Sequence, residues 1–145
     1  MLTENTAILR VGMSLLLGGI IGIERYLHRH PAGVRTFMLT SLGSTLATLA
    51  SIWICEHNMN LLNGDPGRIA AQVLTGIGFI GAGLIIKNNN DISGLTTATG
   101  IFVAAAIGVA VGVGMLMTAT VSAIAVTAIL FSSFMFHDSR KDKKE

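Results

Sequence analysis

Eight carboxylates, four histidines and one cysteine are the candidates for metal or catalytic chemistry in this chain. Glu24, His28 and His30 lie close together, and Glu24 and His28 are spaced to meet on one helix face. A zinc site needs three or four converging ligands backed by outer hydrogen bonds. This trio falls short of that, so no metal is expected. Magnesium prefers carboxylate or water oxygens in octahedral array. The acids are Glu4, Glu24, Glu56, Asp65, Asp91, Asp138, Asp142 and Glu145, and none stands deep inside an apolar run. Cys55 has no base beside it in sequence and reads as an inert thiol. No G-x-S-x-G, H-E-x-x-H or P-loop pattern occurs. Gly76-Ile77-Gly78-Phe79-Ile80-Gly81 fits G-x-G-x-x-G, but it sits within an apolar run rather than after a strand. It reads as a packing or cavity-lining face. No catalytic residue, no cofactor and no enzymatic activity are expected.

The polar residues inside apolar runs are more informative. Arg68, Gln72 and Thr75 stand at i, i+4 and i+7 and share a helical face. Such side chains within a bilayer must pair or line a wet cavity. Gln72 therefore either bonds a neighbouring helix or faces a polar cavity. Arg10 reads as snorkelling to the interface.

The elements that must position these groups are membrane spans. Of 145 residues, 51% are hydrophobic and 12% charged, with 17 glycines and a net charge of +2. A soluble domain is about 25% charged. This composition excludes a disordered chain, a nucleic-acid-binding module and a disulfide-stapled domain. Charged residues bound four apolar windows, 11–23, 36–55, 69–86 and 92–137. A transmembrane helix needs about 20 apolar residues, so the second and third windows are one span each. The fourth would make a helix about 69 Å long, twice the hydrocarbon core of ~30 Å. It is expected to turn at 108–114 into spans 95–110 and 115–136, with a re-entrant hairpin as the alternative. The first window becomes a span, 6–23, by including Arg10. The start Met1-Leu2-Thr3-Glu4 lacks the basic region of a signal peptide, so this span is expected to stay uncleaved.

The expected fold is thus an all-α integral membrane protein, a compact bundle of about five transmembrane helices. Residues 1–136 form the membrane domain and 137–145 a polar basic tail. With five spans, eight of the ten Lys and Arg residues fall on the side of the tail: Arg25, Arg29, Arg35, Lys87, Arg140, Lys141, Lys143 and Lys144. The positive-inside rule then puts the N-terminus outside and the C-terminus in the cytoplasm. Glu24, Arg25, Arg35 and Thr36 would form a cytoplasmic polar patch. Small residues recur at helical spacing: Ser14, Gly18 and Gly22; Gly76 and Gly83; Ala71 and Gly78; and Gly100, Ala104, Gly108 and Gly112, with Gly81 counted among the packing glycines. In lipid, close backbone approach draws helices together. These glycines are expected to pack helices within the chain, or to form a homodimer surface.

Four ordered segments carry a resemblance. They are Gly18-Gly19-Ile20-Ile21-Gly22-Ile23-Glu24-Arg25; Pro31-Ala32-Gly33-Val34-Arg35-Thr36; Asp65-Pro66-Gly67-Arg68-Ile69-Ala70-Ala71-Gln72, running on to Thr75-Gly76-Ile77-Gly78-Phe79-Ile80-Gly81-Ala82-Gly83; and Gly94-Leu95-Thr96-Thr97-Ala98-Thr99-Gly100. Together they resemble the MgtC/SapB family of bacterial inner-membrane proteins. The resemblance implies a five-span domain tied to growth in low magnesium, acid tolerance and survival of pathogens in host cells. It also implies a small regulator acting on other membrane machinery, such as proton-translocating ATP synthase or a cation transporter. The best-known branch adds a soluble ACT-like domain, where this sequence ends at Glu145, and has Asn where this sequence has Thr96.

The expected function is a non-enzymatic, multi-pass inner-membrane regulator acting through helix contacts in the lipid bilayer. Its outward polar face would be Arg68, Gln72 and Thr75. The rival is an oligomeric transporter or channel whose route is lined by Gln72, Thr75, Thr96 and Thr97. No nucleic acid is expected as a partner. In a Cys55→Ser background, cysteines at Lys87 and Ser139 are expected to react with membrane-impermeant maleimide only from the cytoplasm. One at Asn63 is expected to react only from outside, and labelling of all three from one side would exclude five spans.

Overall fold

The computed structural model describes residues 2–57, 65, 67–88 and 91–138. Five helices follow in chain order: α1 (Glu4–Leu27), α2 (Val34–His57), α3 (Gly67–Leu84), α4 (Leu95–Val113) and α5 (Leu116–Asp138). A short antiparallel pair, β1 (Ile86–Asn88) and β2 (Asp91–Ser93), joins α3 to α4 with Lys87 opposite Ile92. The sequence reading had only a loop there. Four helices, α1 to α4, are long and apolar enough to cross a membrane; the apolar part found in α5 is Leu116–Ser132. The expected tail begins inside α5, and 139–145 lie outside the described residues, as does Asn63.

Local chemistry sets the ends. Thr3 caps α1, its hydroxyl accepting from Thr6 N at 3.4 Å, and Glu4 lies in the positive first turn. Asp65 Oδ1 accepts from Gly67 N at 2.8 Å where α3 begins. Gly94 (φ 87°) and Gly114 (φ 97°) take left-handed conformations on either side of α4, which glycine adopts without steric cost. The fourth window therefore turns at Gly114 and Met115, not across 108–114. Gly108 and Gly112 are buried inside α4, where they serve packing.

That packing centres on α2, which lies between α1 and α4. A Cβ added at Gly18 would stand 2.7 Å from Phe37 O, and one at Gly22 would stand 2.6 Å from Val34 Cα. From the other side, a Cβ at Gly108 would run into the Ser41 carbonyl oxygen, and one at Gly112 would lie 2.5 Å from Thr48 Cβ. Gly100 lies against the Phe37 ring, with 3.3 Å to Cε1. Phe37, Ile21, Ile101 and Val111 are fully buried at this junction. Ala119, Ala123 and Leu130 of α5 complete the core. Polar groups in lipid must be satisfied internally. Ser44, Thr45 and Thr48 meet this demand, whereas the buried Ser41 Oγ has no hydrogen-bond partner among the described residues. Thr48 donates to Ser44 O at 2.8 Å and Ser44 to Thr40 O at 2.9 Å. Thr45 donates across to Gly108 O at 2.7 Å, which ties α2 to α4.

The helix α3 is held differently. Gly81 is its only buried residue, and a Cβ added there would stand in ordinary contact with Ala98 Cβ of α4, at 3.7 Å. At Gly76, Gly78 and Gly83 nothing lies within 4 Å of an added Cβ. These three glycines were expected at a helix contact, and among the described residues none of them lets a neighbour into the space a side chain would take.

The two glycine classes predict opposite responses. Gly108→Ala or Gly112→Ala must push α2 from α4, at about 1–3 kcal/mol for such overpacking. Gly78→Ala meets no neighbour and is expected to gain up to about 1 kcal/mol from lost unfolded-state freedom. Thermal unfolding midpoints in detergent micelles check this ranking.

Candidate functional site

The window that became α2 carries hydroxyls at Thr36, Thr40, Ser41, Ser44, Thr45, Thr48 and Ser51. Ser41, Thr45 and Thr48 are buried, and Thr45 and Thr48 lie against α4. Arg35, Thr36, Leu39, Thr40, Gly43 and Ser44 instead line a cleft of about 630 Å³ opposite α3. The α3 wall is Gln72, Val73, Gly76, Ile77 and Ile80. Because α3 touches the core mainly through Gly81 and α4, its other side stands away from α2 and leaves this space.

Two further cavities share walls with the cleft. One of about 380 Å³ lies among Ser51, Ile54, Cys55, Asp65, Arg68, Ile69 and Gln72. Another, about 500 Å³, lies among Tyr26, Pro31, Gly33, Val34, Arg35 and Thr36. Gln72 belongs to two cavities, as do Arg35 and Thr36, so the three follow one another along α2. The side chains of Arg35, Arg68 and Gln72 have no hydrogen-bond or ion-pair partner among the described residues. Each is exposed or faces this groove.

The structure regroups the residues expected to act together. Arg68 and Gln72 do share a wall. Thr75 turns away from the groove, exposed, with its hydroxyl donated to Ala71 O at 3.0 Å. Thr96 is exposed and Thr97 buried on α4, and neither lines the groove. The expected patch of Glu24, Arg25, Arg35 and Thr36 also divides. Arg35 and Thr36 join Gln72 in the cleft, whereas Glu24 and Arg25 are almost fully buried, at 5% and 3% exposure. Thr40, Gly43 and Ser44 were not singled out from sequence, although the run of hydroxyls in a charge-free window marked them.

Glu24 and Arg25 form a two-point ion pair. Arg25 Nε donates to Glu24 Oε2, and Nη2 donates to Oε1 at 2.8 Å. The same Nη2 lies 3.5 Å from Leu130 O of α5. His28 Nδ1 is 3.1 Å from Glu24 Oε1, with its ring edge-on to Phe131. In the following loop, burial and then the Arg25 charge hold the His30 pKa below its ordinary value. Arg10 Nη1 donates to Gly112 O at 2.6 Å, placing a cation at the negative end of α4. Among the described residues no group of three or more His, Cys, Asp or Glu side chains is placed to hold a metal.

The model of the MgtC family matches residues 11–138. The chain is 42% identical over 118 residues to an uncharacterised protein of Haemophilus influenzae, covering 79% of this chain and 50% of that one. It is 46% identical over 103 residues to an Escherichia coli K12 protein named "Putative magnesium transporter YhiD", covering 70% and 48%. It is 41% identical over 122 residues to a Brucella abortus protein named "Protein MgtC", covering 81% and 48%. The chain thus spans about half the length of these relatives. No solved structure matches it.

Breaking a buried pair strands the surviving charge. Arg25→Met is expected to cost about 3–5 kcal/mol, and the double variant Glu24→Gln with Arg25→Met distinctly less. Unfolding midpoints in detergent test this, and equal losses would show that the two charges are not coupled.

Proposed function

The chain belongs to the MgtC family, and from that membership and the exposure of α3 we propose a non-enzymatic membrane regulator. It serves adaptation to magnesium limitation, acid or virulence conditions in the bacterial inner membrane. Residues 1–136 form its membrane domain, with the N-terminus outside and the tail in the cytoplasm. It acts by docking α3 on a helix of another membrane protein, such as an ATP synthase or a cation transporter. The observation that carries this reading is that Gly81 alone of α3 is buried. The side turned away from the α2 cleft presents Ala71, Thr75, Gly78 and Ala82, all exposed, with open space at Gly78 among the described residues. A ridge of small residues at this spacing lets a second backbone approach closely, which is how helices associate in lipid.

A second reading is favoured by the cavities that follow one another along α2: a transport route from Arg35 past Gln72 to Arg68. Among the described residues, Asp65 is the only carboxylate on these walls. Such a route suits an anion or small polar solute better than a dehydrated magnesium ion.

Affinity capture from native membranes separates the two. The wild type is expected to retain a second membrane protein, and Gly78→Leu to lose it while keeping its helix content. Retention of nothing except further copies of the chain would sink partner regulation. Solute flux above that of empty liposomes, abolished by Gln72→Leu, would establish the route instead.

A further inference from the structure

We propose that the cleft between α2 and α3 is a lipid site: it holds an acyl chain of an anionic phospholipid, with the phosphate at Arg35. This goes beyond partner docking, which uses the opposite side of α3, and either can fail without the other.

Leu39, Val73, Ile77 and Ile80 make the cleft mostly apolar. Ser44 adds no free donor, because its hydroxyl proton goes to Thr40 O. Length agrees with a lipid leaflet. Arg35 and Ser44 bound the α2 wall nine residues apart, which is about 14 Å of helix, close to half of a ~30 Å hydrocarbon core. A chain lying there would start at the membrane surface and end near the midplane. The cleft is also reachable from the side, since α3 meets the core through Gly81, Ile77 and Leu84, packs more on α4 than on α2, and leaves an open slot on its α2 side.

Charge selects the headgroup. Arg35 is exposed and its guanidinium is unpartnered among the described residues. At the same end of the bundle, Arg25 is neutralised by Glu24. Among the described residues at this end, Arg29, Arg35 and Lys87 stand against Asp91, a net positive balance, and Arg35 is the one on the cleft wall. Thr36 stands beside Arg35 on the rim of both the cleft and the neighbouring cavity, where its hydroxyl can serve a phosphate oxygen. An arginine at the polar edge of an apolar slot is what a phosphate followed by an acyl chain requires.

The test is native mass spectrometry of the full chain in mild detergent, titrated with phosphatidylglycerol or phosphatidylethanolamine of identical acyl chains. The wild type is expected to retain phosphatidylglycerol about fivefold better. Arg35→Gln should abolish that preference and Arg35→Lys keep most of it. Arg68→Gln, at the far end of the groove, should leave it unchanged. Ile77→Trp, which fills the slot, should lower retention of both lipids. The proposal is overturned if Arg35→Gln keeps the preference or if Ile77→Trp changes nothing. It is equally overturned if glycerol 3-phosphate displaces phosphatidylglycerol at equal concentration, which would show a headgroup contact without a chain site.

Discussion

The close approach of α2 to both α1 and α4 is the constraint on which the rest of the structure depends. At Gly18, Gly22, Gly108 and Gly112 there is no room for a single added carbon. In lipid no hydrophobic force pulls helices together, and association depends on dispersion and short polar contacts. Both need backbones within reach. The Thr45–Gly108 hydrogen bond exists only because α4 lies this near to α2. Phe37 is sealed between Gly22 and Gly100 for the same reason. The hydroxyl-rich sequence of α2 follows: small polar side chains fit beside glycine, and by bonding to carbonyls one turn back they bring little unsatisfied polarity into the core.

What α2 spends on α1 and α4 it cannot spend on α3. That helix rests on α4 through Gly81 and Ala98 and leaves a groove along the other side of α2. The groove holds three polar groups with no partner among the described residues: Arg35, Gln72 and Arg68 line it in succession, while Arg10, Glu24 and Arg25 are used internally. Arg10 closes the C-terminal end of α4, and Arg25 is spent on Glu24. The molecule thus separates a rigid three-helix centre, with α5 buttressing α1 and α4, from a lightly attached helix carrying both an open ridge and a polar-edged slot.

Much of this was legible in sequence. Charges spaced around apolar windows marked the helices, and a 46-residue window had to turn because one helix of that length is too long for a bilayer. Helical spacing put Arg68 and Gln72 on one face, and they share one. Spacing names a face without naming its neighbour, and that is where the reading ended. Gly76 and Gly83 repeat as regularly as Gly108 and Gly112, yet the first pair meets nothing and the second meets α2. Thr75 is one helical step from Gln72 and still points away from the groove. Glu24 and Arg25, adjacent at a helix end, looked like an interfacial patch. They are buried because α5 folds back over them, as the Arg25 contact with Leu130 O records, and no local pattern encodes that return.

The distribution of charge also bears on what a protein with magnesium-named relatives can itself recognise. A dehydrated magnesium ion demands several oxygen ligands in a nearly octahedral shell. Of the carboxylates among the described residues, Glu24 is committed to Arg25 and His28, and the groove offers Asp65 alone, in the same cavity as Arg68. An arginine near each end repels a bare cation and attracts phosphate or carboxylate. The chemistry accessible along α2 is therefore that of anions and amphiphiles. A link to magnesium is then more naturally made through the state of the membrane and its other proteins than through an ion held by these side chains.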